Sequence, residues 1–149
     1  SAFLPLILGT QLSAYKFLVY NVKFGHSHLK FNGMLADLLV EAGHDVTSLL
    51  PELNPALGDG SKLVTKLVRI ARSEETADYV NKFYGNPEHN FFTTDYYHPR
   101  HQAVIGEFFK NAFGSMCRTT LAQTDILDRL KAEKFDVLIT ENFDFCGTG

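Results

Sequence analysis

Two histidines, His26 and His28, stand one residue apart in the stretch KFGHSHL, directly after the apolar run YKFLVYN. Histidine at such a position can act as a general base, bind a metal ion or lie in solvent as an ordinary loop residue. A general base needs a carboxylate behind it, which fixes the imidazole tautomer and stabilises the imidazolium that forms. Glu141 and Asn142 follow a second apolar run, FDVLIT, and are the candidates for that partner. The residue types therefore indicate proton transfer, provided that the fold brings the two segments together.

The alternatives to a general base are a metal site and a nucleotide-binding loop. The H-x-H pair could bind zinc, and His98 with His101 forms an H-x-x-H, but no third ligand stands at a convincing spacing. Gly25 and Gly33 do not form the G-x-G-x-x-G pattern that cradles a dinucleotide. The sequence therefore predicts no metal and no bound cofactor, and a solvated loop is the competing interpretation of His28.

The elements that must position these residues begin with a strand, a helix and a second strand. YKFLVYN is apolar on both faces, as expected of a buried parallel strand. Apolar residues then recur at helical spacing, with Ser27 as a plausible N-cap and Gly43 as a C-cap that stops the helix. HDVTSLL is the second strand, and Pro51 is predicted to end it. The predicted bounds of the three elements are 15–21, 27–42 and 44–50. Such a unit makes the two strands parallel.

The rest of the chain contains one further clear strand, FDVLIT, predicted to be buried over 135–140. The spacing of apolar residues predicts helices over 102–113 and 118–134, whereas 62–71 fits a strand and a helix almost equally well. The aromatic, proline-containing stretch 84–101 is predicted to be an irregular surface excursion. Because there are no internal repeats and no linker, the pattern indicates one α/β domain, with a parallel sheet and flanking helices.

Open parallel sheets bind ligands at the carboxyl ends of their strands, where the strand order reverses. In the common doubly wound order the first strand lies beside the fourth, so FDVLIT would be the neighbour of YKFLVYN. His26 and His28 would then face Glu141 and Asn142 across one crevice.

Composition limits the partners and the compartment. The 149 residues carry a formal net charge of -3 and have no concentrated basic run, which argues against nucleic acid as the main partner. Cys117 and Cys146 are too few for a disulfide scaffold, and whether they form a bridge stays open. The segment 1–14, SAFLPLILGTQLSA, resembles the back half of a secretory signal peptide, or else it forms an extra edge strand. No other run approaches the length of a membrane span.

Two segments carry a resemblance to a known family: KFLVYNVKFGHSHLKFNGMLADLLVEAGHDVTSLLPEL and CRTTLAQTDILDRLKAEKFDVLITENFDFCG. Together they resemble the amino-terminal domain of the UDP-glucuronosyltransferase family, and most of all its nematode members. The likeness runs from Tyr15 to Gly149 and is weak over 56–112. It implies a Rossmann-like sheet in the amino-terminal half of a two-domain GT-B glycosyltransferase. On this resemblance 15–149 is an incomplete acceptor-binding domain, and the donor domain is absent.

The resemblance also assigns roles by position. The family's catalytic base is the histidine of a Ser-His pair that opens the first helix, and this pair matches Ser27-His28. His28 is therefore the implied base, and His26 is a neighbour in the preceding loop. The family's supporting acid follows the FDV strand; many members have Asp there, whereas this chain has Glu141, which keeps the charge on a longer side chain. Asn142 is a weaker substitute for the same role.

The implied reaction is transfer of a sugar from a UDP-sugar to a hydroxyl of a small lipophilic acceptor, with inversion and without a metal or other cofactor. The UDP-sugar would be held mainly by the carboxyl-terminal domain, and a carboxyl-terminal anchor would fix the full-length enzyme to the membrane, facing the endoplasmic reticulum lumen. A homo-oligomer is compatible with this picture, and the 149-residue chain alone should be inactive. The residues expected to line the acceptor pocket are Phe24, Gly25, Phe31, Phe108, Phe109, Asn142 and Phe143.

Two other functions stay open at this point. A stand-alone module would bind lipophilic ligands, or pair with a full-length enzyme, without catalytic activity. Such a module would tolerate the loss of His28 and Glu141. A different α/β enzyme could use the same two side chains for other chemistry.

Overall fold

Four parallel strands form the sheet that positions the histidine segment. The strands are β1 (Lys16–Tyr20), β2 (Asp45–Glu52), β3 (Lys66–Ala71) and β4 (Val137–Ile139), in the order β3-β2-β1-β4. In register, Phe17 of β1 lies opposite Val46 of β2 and Val137 of β4. The structure, a computed structural model, describes residues 14–86, 95, 97–142 and 144–147. The sheet confirms the predicted α/β class and the predicted pairing of the first strand with FDVLIT.

Helices cover both faces of the sheet. They are α1 (His26–Glu41), α2 (Glu74–Tyr84), α3 (Pro99–Phe108), α4 (Gly114–Leu121) and α5 (Thr124–Ala132); a π-helical turn (Phe109–Phe113) joins α3 to α4, and a 3₁₀ turn (Phe145–Gly147) follows β4. Successive residues of a strand point to opposite faces, so Val19 and Tyr20 belong to different cores. Val19 packs with Ala36 of α1, whereas Tyr20 packs with Val80 of α2 and Met116 of α4. The sheet is therefore the middle of three layers.

The predicted strand–helix–strand unit is present, with a change at the start of its helix. Gly25 is the N-cap residue, in an extended conformation with φ −118° and ψ 140°, and α1 begins at His26. The prediction that Ser27 caps the helix is wrong, because no side chain caps this end. Gly43 follows the C-cap residue Ala42 with a φ of 85°, a left-handed conformation that favours glycine. Gly43 thus stops the helix as predicted.

Pro51 does not end the second strand, contrary to the prediction. It lies within β2, opposite Ile70 of β3, and its carbonyl accepts a hydrogen bond from the N–H of Lys23 at 2.9 Å. The missing N–H of a proline matters only where a neighbouring strand would accept from it. Since β1 ends at Tyr20, Pro51 faces the loop beyond β1 and costs the sheet no ladder hydrogen bond.

The middle of the chain contains β3 and a helix, α2, that was not predicted. The segment 62–71, which fitted two structures, becomes a strand from Lys66 onward. The hydroxyl of Ser73 caps α2 by accepting from the N–H of Thr76 at 3.2 Å. Glu74 in the first turn and Lys82 in the last complement the helix dipole. The N-cap serine and the placement of opposite charges at the two ends were the features of the sequence from which α2 could have been predicted.

The stretch predicted to be irregular, 84–101, already contains the start of α3 at Pro99. His98 is the N-cap, and its Nδ1 accepts from the N–H of Arg100 at 3.2 Å. Residues 87–94 and 96, which belong to the same prediction, lie outside the described residues.

The two helices predicted over 102–113 and 118–134 have different limits in the structure. Residues 102–113 are helical, but they pass through the π-helical turn directly into α4. The second prediction is wrong in joining α4 and α5, because Gln123 leaves the helical conformation with ψ 59°. The backbone N–H of Gln123 bonds to the carbonyl of Thr120 at 3.1 Å, which closes α4 with a tighter turn.

β4 is shorter and more exposed than the buried strand predicted over 135–140. Val137 is 39% exposed and Leu138 is 48% exposed. β4 lies at one edge of the described sheet, with β1 as its single neighbour there. An edge strand leaves side chains accessible that a central strand would cover. The prediction was therefore right in pairing and wrong in burial.

The loop between β2 and β3 crosses α1 in direct backbone contact. A Cβ added to Gly33 would lie 2.1 Å from the carbonyl carbon of Gly60. We therefore expect Gly33→Ala to destabilise the fold by about 1–3 kcal/mol, even though alanine favours a helix. The matched control is Gly106→Ala in α3, where the new methyl meets no atom within 4 Å. In urea unfolding the control should be neutral or slightly stabilised; a Gly33→Ala curve that overlaps the wild type would contradict the contact.

Asp37 of α1 holds the same loop through its carboxylate. The carboxylate accepts hydrogen bonds from the backbone N–H of Lys62 at 3.0 Å, from that of Leu63 at 2.9 Å and from the hydroxyl of Ser61. Burial by itself raises the pKa of Asp37, but these hydrogen bonds to the charged form outweigh it and lower the pKa below 3.8.

Acidification should therefore weaken the fold. A carboxyl group whose pKa is lower in the folded state contributes stability above its unfolded pKa, and this is lost as the pH falls through the folded pKa. Asp59 acts in the same direction, because its hydrogen bond from Arg69 lowers its pKa. We expect the urea midpoint to be steady between about pH 7 and 5 and to fall below about pH 4. Asp37→Asn should reduce that fall, while Asp128→Asn on the exposed side of α5 should not; identical pH profiles would argue against the assignment.

Candidate active site

The candidate site lies where β1 and β4 end. β1 leads through residues 21–25 into α1, and Glu141 follows β4 after a single intervening residue. Because β1 and β4 are adjacent and parallel, both segments emerge at the same edge of the sheet. The structure thus brings together the histidine segment and the acidic segment, which are more than 100 residues apart in sequence.

His28 and Glu141 are in direct contact. Nδ1 of His28 lies 2.9 Å from Oε2 of Glu141. The His28 side chain is 46% exposed and that of Glu141 is 25% exposed, so a substrate can reach the histidine while the acid is partly shielded. A carboxylate accepts hydrogen bonds, so in a neutral imidazole this contact favours the tautomer with the proton on Nδ1 and the lone pair on Nε2. The pair can therefore take up a proton at Nε2 and stabilise the imidazolium that results.

Two buried asparagines fix the first turns of α1 against the end of β1. Nδ2 of Asn21 donates to the carbonyl of Leu29 at 3.1 Å, and Oδ1 of Asn21 accepts from Nδ2 of Asn32 at 3.3 Å. A Cβ on Gly25 would lie 3.2 Å from Cδ2 of His28. The hydrogen bonds hold the helix turn that carries His28, and Gly25 leaves room for its ring. Neither asparagine was predicted to belong to the site. The feature of the sequence that could have identified Asn21 is its position as a polar residue at the end of an apolar strand.

A buried pair, Tyr20 and Asp144, holds the segment that carries Glu141. The hydroxyl of Tyr20 donates to Oδ2 of Asp144 at 2.9 Å, and Oδ1 of Asp144 accepts from the N–H of Cys146 at 3.0 Å. Burial, reinforced by the charge of Asp144, raises the pKa of Tyr20 well above its usual value. The tyrosine hydroxyl is therefore a stable donor at neutral pH.

The two cysteines form a disulfide, a question that the sequence left open. The Cα atoms of Cys117 and Cys146 lie 5.5 Å apart, and 29 positions separate them in sequence. The bridge joins α4 to the 3₁₀ turn that follows Glu141. The acidic segment is therefore held by a covalent bond as well as by hydrogen bonds.

Three of the phenylalanines predicted to line an acceptor pocket come together. The ring of Phe24 lies 5.4 Å from that of Phe109 and 5.0 Å from that of Phe113, and Phe108 stacks on Phe83 at 4.0 Å. We call these five residues the aromatic cluster. Phe113 and Phe83 were not among the residues predicted for the pocket, although both stand at helical spacing from their neighbours.

The other residues predicted for the pocket are placed differently. Phe31 is 64% exposed on α1 and lies apart from the aromatic cluster, which packs on the opposite face of the sheet. Asn142 is exposed next to Glu141, and His26 is exposed at the start of α1. Phe143 lies outside the described residues. The roles assigned to these residues stay predictions.

A cavity of about 330 Å³ borders the aromatic cluster. Phe109 and Phe113 form an aromatic wall, and the Cys117–Cys146 disulfide and Asp144 also line the space. Asp144 in addition lines a smaller cavity together with Glu141. The arrangement offers an apolar space beside the segment that carries the acid of the site.

Residues 14–86, 95, 97–142 and 144–147 contain neither a grouped set of metal-ligating side chains nor a helix of membrane-spanning character. No three His, Cys, Asp or Glu side chains within these ranges are grouped so that they could hold a metal ion. Nδ1 of His101 lies 2.9 Å from the carbonyl oxygen of Asp95, in the segment that also contains the His98 cap. Over the same ranges, no helix combines the length and the apolar character needed to cross a bilayer.

Sequence comparisons find a family and several curated proteins that match most of the chain. Residues 15–149 match the family described as UDP-glucoronosyl and UDP-glucosyl transferase. The Caenorhabditis elegans protein ugt-46, named as a UDP-glucuronosyltransferase, is 33% identical over 150 residues, which cover 97% of this chain and 27% of that relative. Mouse UDP-glucuronosyltransferase 2B17 is 29% identical over 142 residues, which cover 89% of this chain and 25% of the mouse protein. The chain thus spans about a quarter of the length of these curated relatives. No solved structure matches it significantly.

Proposed function

Because the chain belongs to the UDP-glucuronosyl and UDP-glucosyl transferase family, we propose that it supplies the acceptor-binding part of an enzyme that transfers a sugar from a UDP-sugar to a hydroxyl of a small lipophilic acceptor. The observation that carries the proposal is the contact between Nδ1 of His28 and Oε2 of Glu141 at 2.9 Å. A histidine oriented by a carboxylate is the arrangement that general-base catalysis requires.

In the proposed step, Nε2 of His28 accepts the proton of the acceptor hydroxyl. The acceptor oxygen forms a bond to the anomeric carbon of the sugar as the bond from that carbon to the UDP oxygen breaks. UDP leaves with the electron pair of that bond, and the configuration at the anomeric carbon is inverted. Glu141 stabilises the positive charge that develops on His28. The step needs no metal ion for its proton balance.

The cavity beside the aromatic cluster is the proposed place for the apolar body of the acceptor. Its aromatic wall, Phe109 and Phe113, suits a ligand with a ring or hydrocarbon skeleton. Phe24 connects this wall to the loop that leads into His28, because its ring contacts both phenylalanines. An acceptor bound there would present its hydroxyl toward the edge of the sheet at which His28 lies.

The disulfide bears on the compartment. Disulfides persist in oxidising environments, such as the endoplasmic reticulum lumen, and are rare in the cytosol. The Cys117–Cys146 bridge therefore supports the proposal that this domain faces the lumen. We propose that the UDP-sugar is held mainly by parts of the enzyme outside residues 15–149, and that membrane attachment also lies outside them.

A second candidate function is a binding module without catalysis. It is favoured by one observation, the cavity beside the aromatic cluster, which the rings of Phe109 and Phe113 border. A module of this kind would bind lipophilic ligands whether or not His28 can accept a proton.

The test begins with the sequence of the transcript beyond the codon for Gly149, followed by expression of the complete gene product. The product is incubated with UDP-glucuronic acid or UDP-glucose and a panel of phenolic acceptors. We expect a glycoside with inverted anomeric configuration to form with at least one of the two donors. Acceptor binding without transfer from either donor would contradict the enzymatic proposal and favour the binding module.

A further inference from the structure

Two carboxylates, Glu141 and Asp144, lie on one short segment after β4. Of these two, Glu141 is the one whose carboxylate contacts Nδ1 of His28, whereas the carboxylate of Asp144 is bonded to Tyr20 and the residue is only 7% exposed. Glutamate has one more rotatable bond than aspartate, so its carboxylate is placed accurately only where the backbone beneath it is held. Accurate placement of the Glu141 carboxylate therefore requires contacts that hold the backbone of this segment.

Tyr20 is positioned to hold the segment that carries Glu141. Tyr20 is 5% exposed at the end of β1, the strand that leads to His28, and its hydroxyl donates to Oδ2 of Asp144 at 2.9 Å. The second oxygen of Asp144 accepts from the N–H of Cys146, so both carboxylate oxygens are engaged. The hydrogen bond from Tyr20 thus connects the strand before the base to the segment that carries the acid.

The ring of Tyr20 also packs against the segment beyond the acid. A Cβ on Gly147 would lie 2.6 Å from Cδ1 of Tyr20 and 2.7 Å from Oγ1 of Thr140. Thr140 precedes Glu141 directly, and Gly147 follows it by six positions. The segment therefore folds back on itself around Glu141 and rests on the tyrosine ring.

We propose that Tyr20 and Asp144 are positioning residues that hold the carboxylate of Glu141 against Nδ1 of His28. The hydrogen bonds from Tyr20 and from the N–H of Cys146 hold Asp144, and through it the backbone from which Glu141 reaches the histidine. This inference rests on the proposed function, in which His28 is the general base. It adds two residues that act on the histidine through Glu141, one of which, Asp144, also lines the proposed acceptor cavity.

The first test measures the tautomer of His28 directly. Two-bond proton–nitrogen NMR spectra of the full 149-residue chain, labelled at histidine, report which ring nitrogen carries the proton. We expect the proton of His28 on Nδ1 in the wild type. Tyr20→Phe, Asp144→Asn and Glu141→Gln should each shift His28 toward the tautomer with the proton on Nε2. Tyr79→Phe, which removes a hydroxyl 3.5 Å from Glu75, is the matched control and should leave His28 unchanged.

The second test measures coupling in the complete enzyme. Tyr20→Phe should lower kcat about tenfold while KM stays within about twofold, because a misplaced base slows the chemical step and leaves acceptor binding intact. In a Glu141→Gln background the same substitution should lower kcat by less than about twofold, because its effect passes through Glu141.

Two results would overturn the inference. One is an equal loss of kcat for Tyr20→Phe in both backgrounds. The other is a loss of folding stability in Tyr20→Phe with the His28 tautomer and kcat unchanged, which would leave the pair a purely structural role. Full activity of His28→Ala would instead overturn the proposed function, and the tautomer measurement would still decide the positioning role.

Discussion

Replacing His28 by alanine in the complete enzyme should lower kcat/KM by about 10²–10⁴-fold, the range that a positioned general base contributes. The loss should appear mainly in kcat, because the imidazole acts on the acceptor proton in the transition state and adds little to acceptor binding. The contact with Glu141 at 2.9 Å is the structural reason for choosing this histidine. Initial rates over a range of acceptor concentrations, at saturating UDP-sugar, separate the two parameters.

His26→Ala is the matched control, since it removes an exposed histidine two positions away on the same helix. It should retain activity within about threefold, as surface substitutions generally do. Glu141→Gln should give an intermediate loss, because it removes the charge but keeps the shape of the side chain. Equal losses for His26→Ala and His28→Ala would show that the helix start, and not one imidazole, is required.

Removing the disulfide should have the largest effect on stability. The bridge closes a loop with 29 positions between its cysteines. By lowering the entropy of the unfolded chain, a bridge of this span raises the free energy of unfolding by about 3.5 kcal/mol. The double variant Cys117→Ser/Cys146→Ser should therefore unfold at a clearly lower urea concentration than the wild type. Circular dichroism during urea titration of the full chain, without reductant, measures the difference.

A reducing agent supplies the control for the disulfide prediction. Dithiothreitol should shift the wild-type unfolding curve to that of the double variant and leave the variant itself unchanged. Overlapping curves for the oxidised wild type and the double variant would mean that the bridge adds nothing to stability. A shift of the variant on reduction would point to an effect of the reagent unrelated to this bond.

The first half of the site could be predicted from the sequence because its determinants are local. The apolar run before His28, the helical spacing after it and Gly43 at the helix end are all readable within one strand–helix–strand unit. The general topology of open parallel sheets then supplied the neighbour of β1, and with it the contact to Glu141. The resemblance to a family chose His28 over His26, a choice that the spacing alone left open.

The rest depends on contacts between distant parts of the chain. Tyr20 and Asp144 are 124 positions apart in sequence, and the residues next to either one do not indicate that the two side chains form a hydrogen bond. The exposure of β4 follows from its place at an edge of the described sheet, which its apolar sequence does not reveal. The break between α4 and α5 lies at Gln123, which leaves the helical conformation although apolar residues continue at helical spacing on both sides of it.

The connection from β3 to β4 has a consequence for how this protein can diversify. Four of the five residues of the aromatic cluster lie on it, whereas His28 and the strands beneath it lie outside it. Replacements in this connection can reshape the cavity wall while His28 keeps its place, so the proposed acceptor preference and the proposed base can change independently of each other. Cys117 is the exception, because it anchors the connection to the acidic segment.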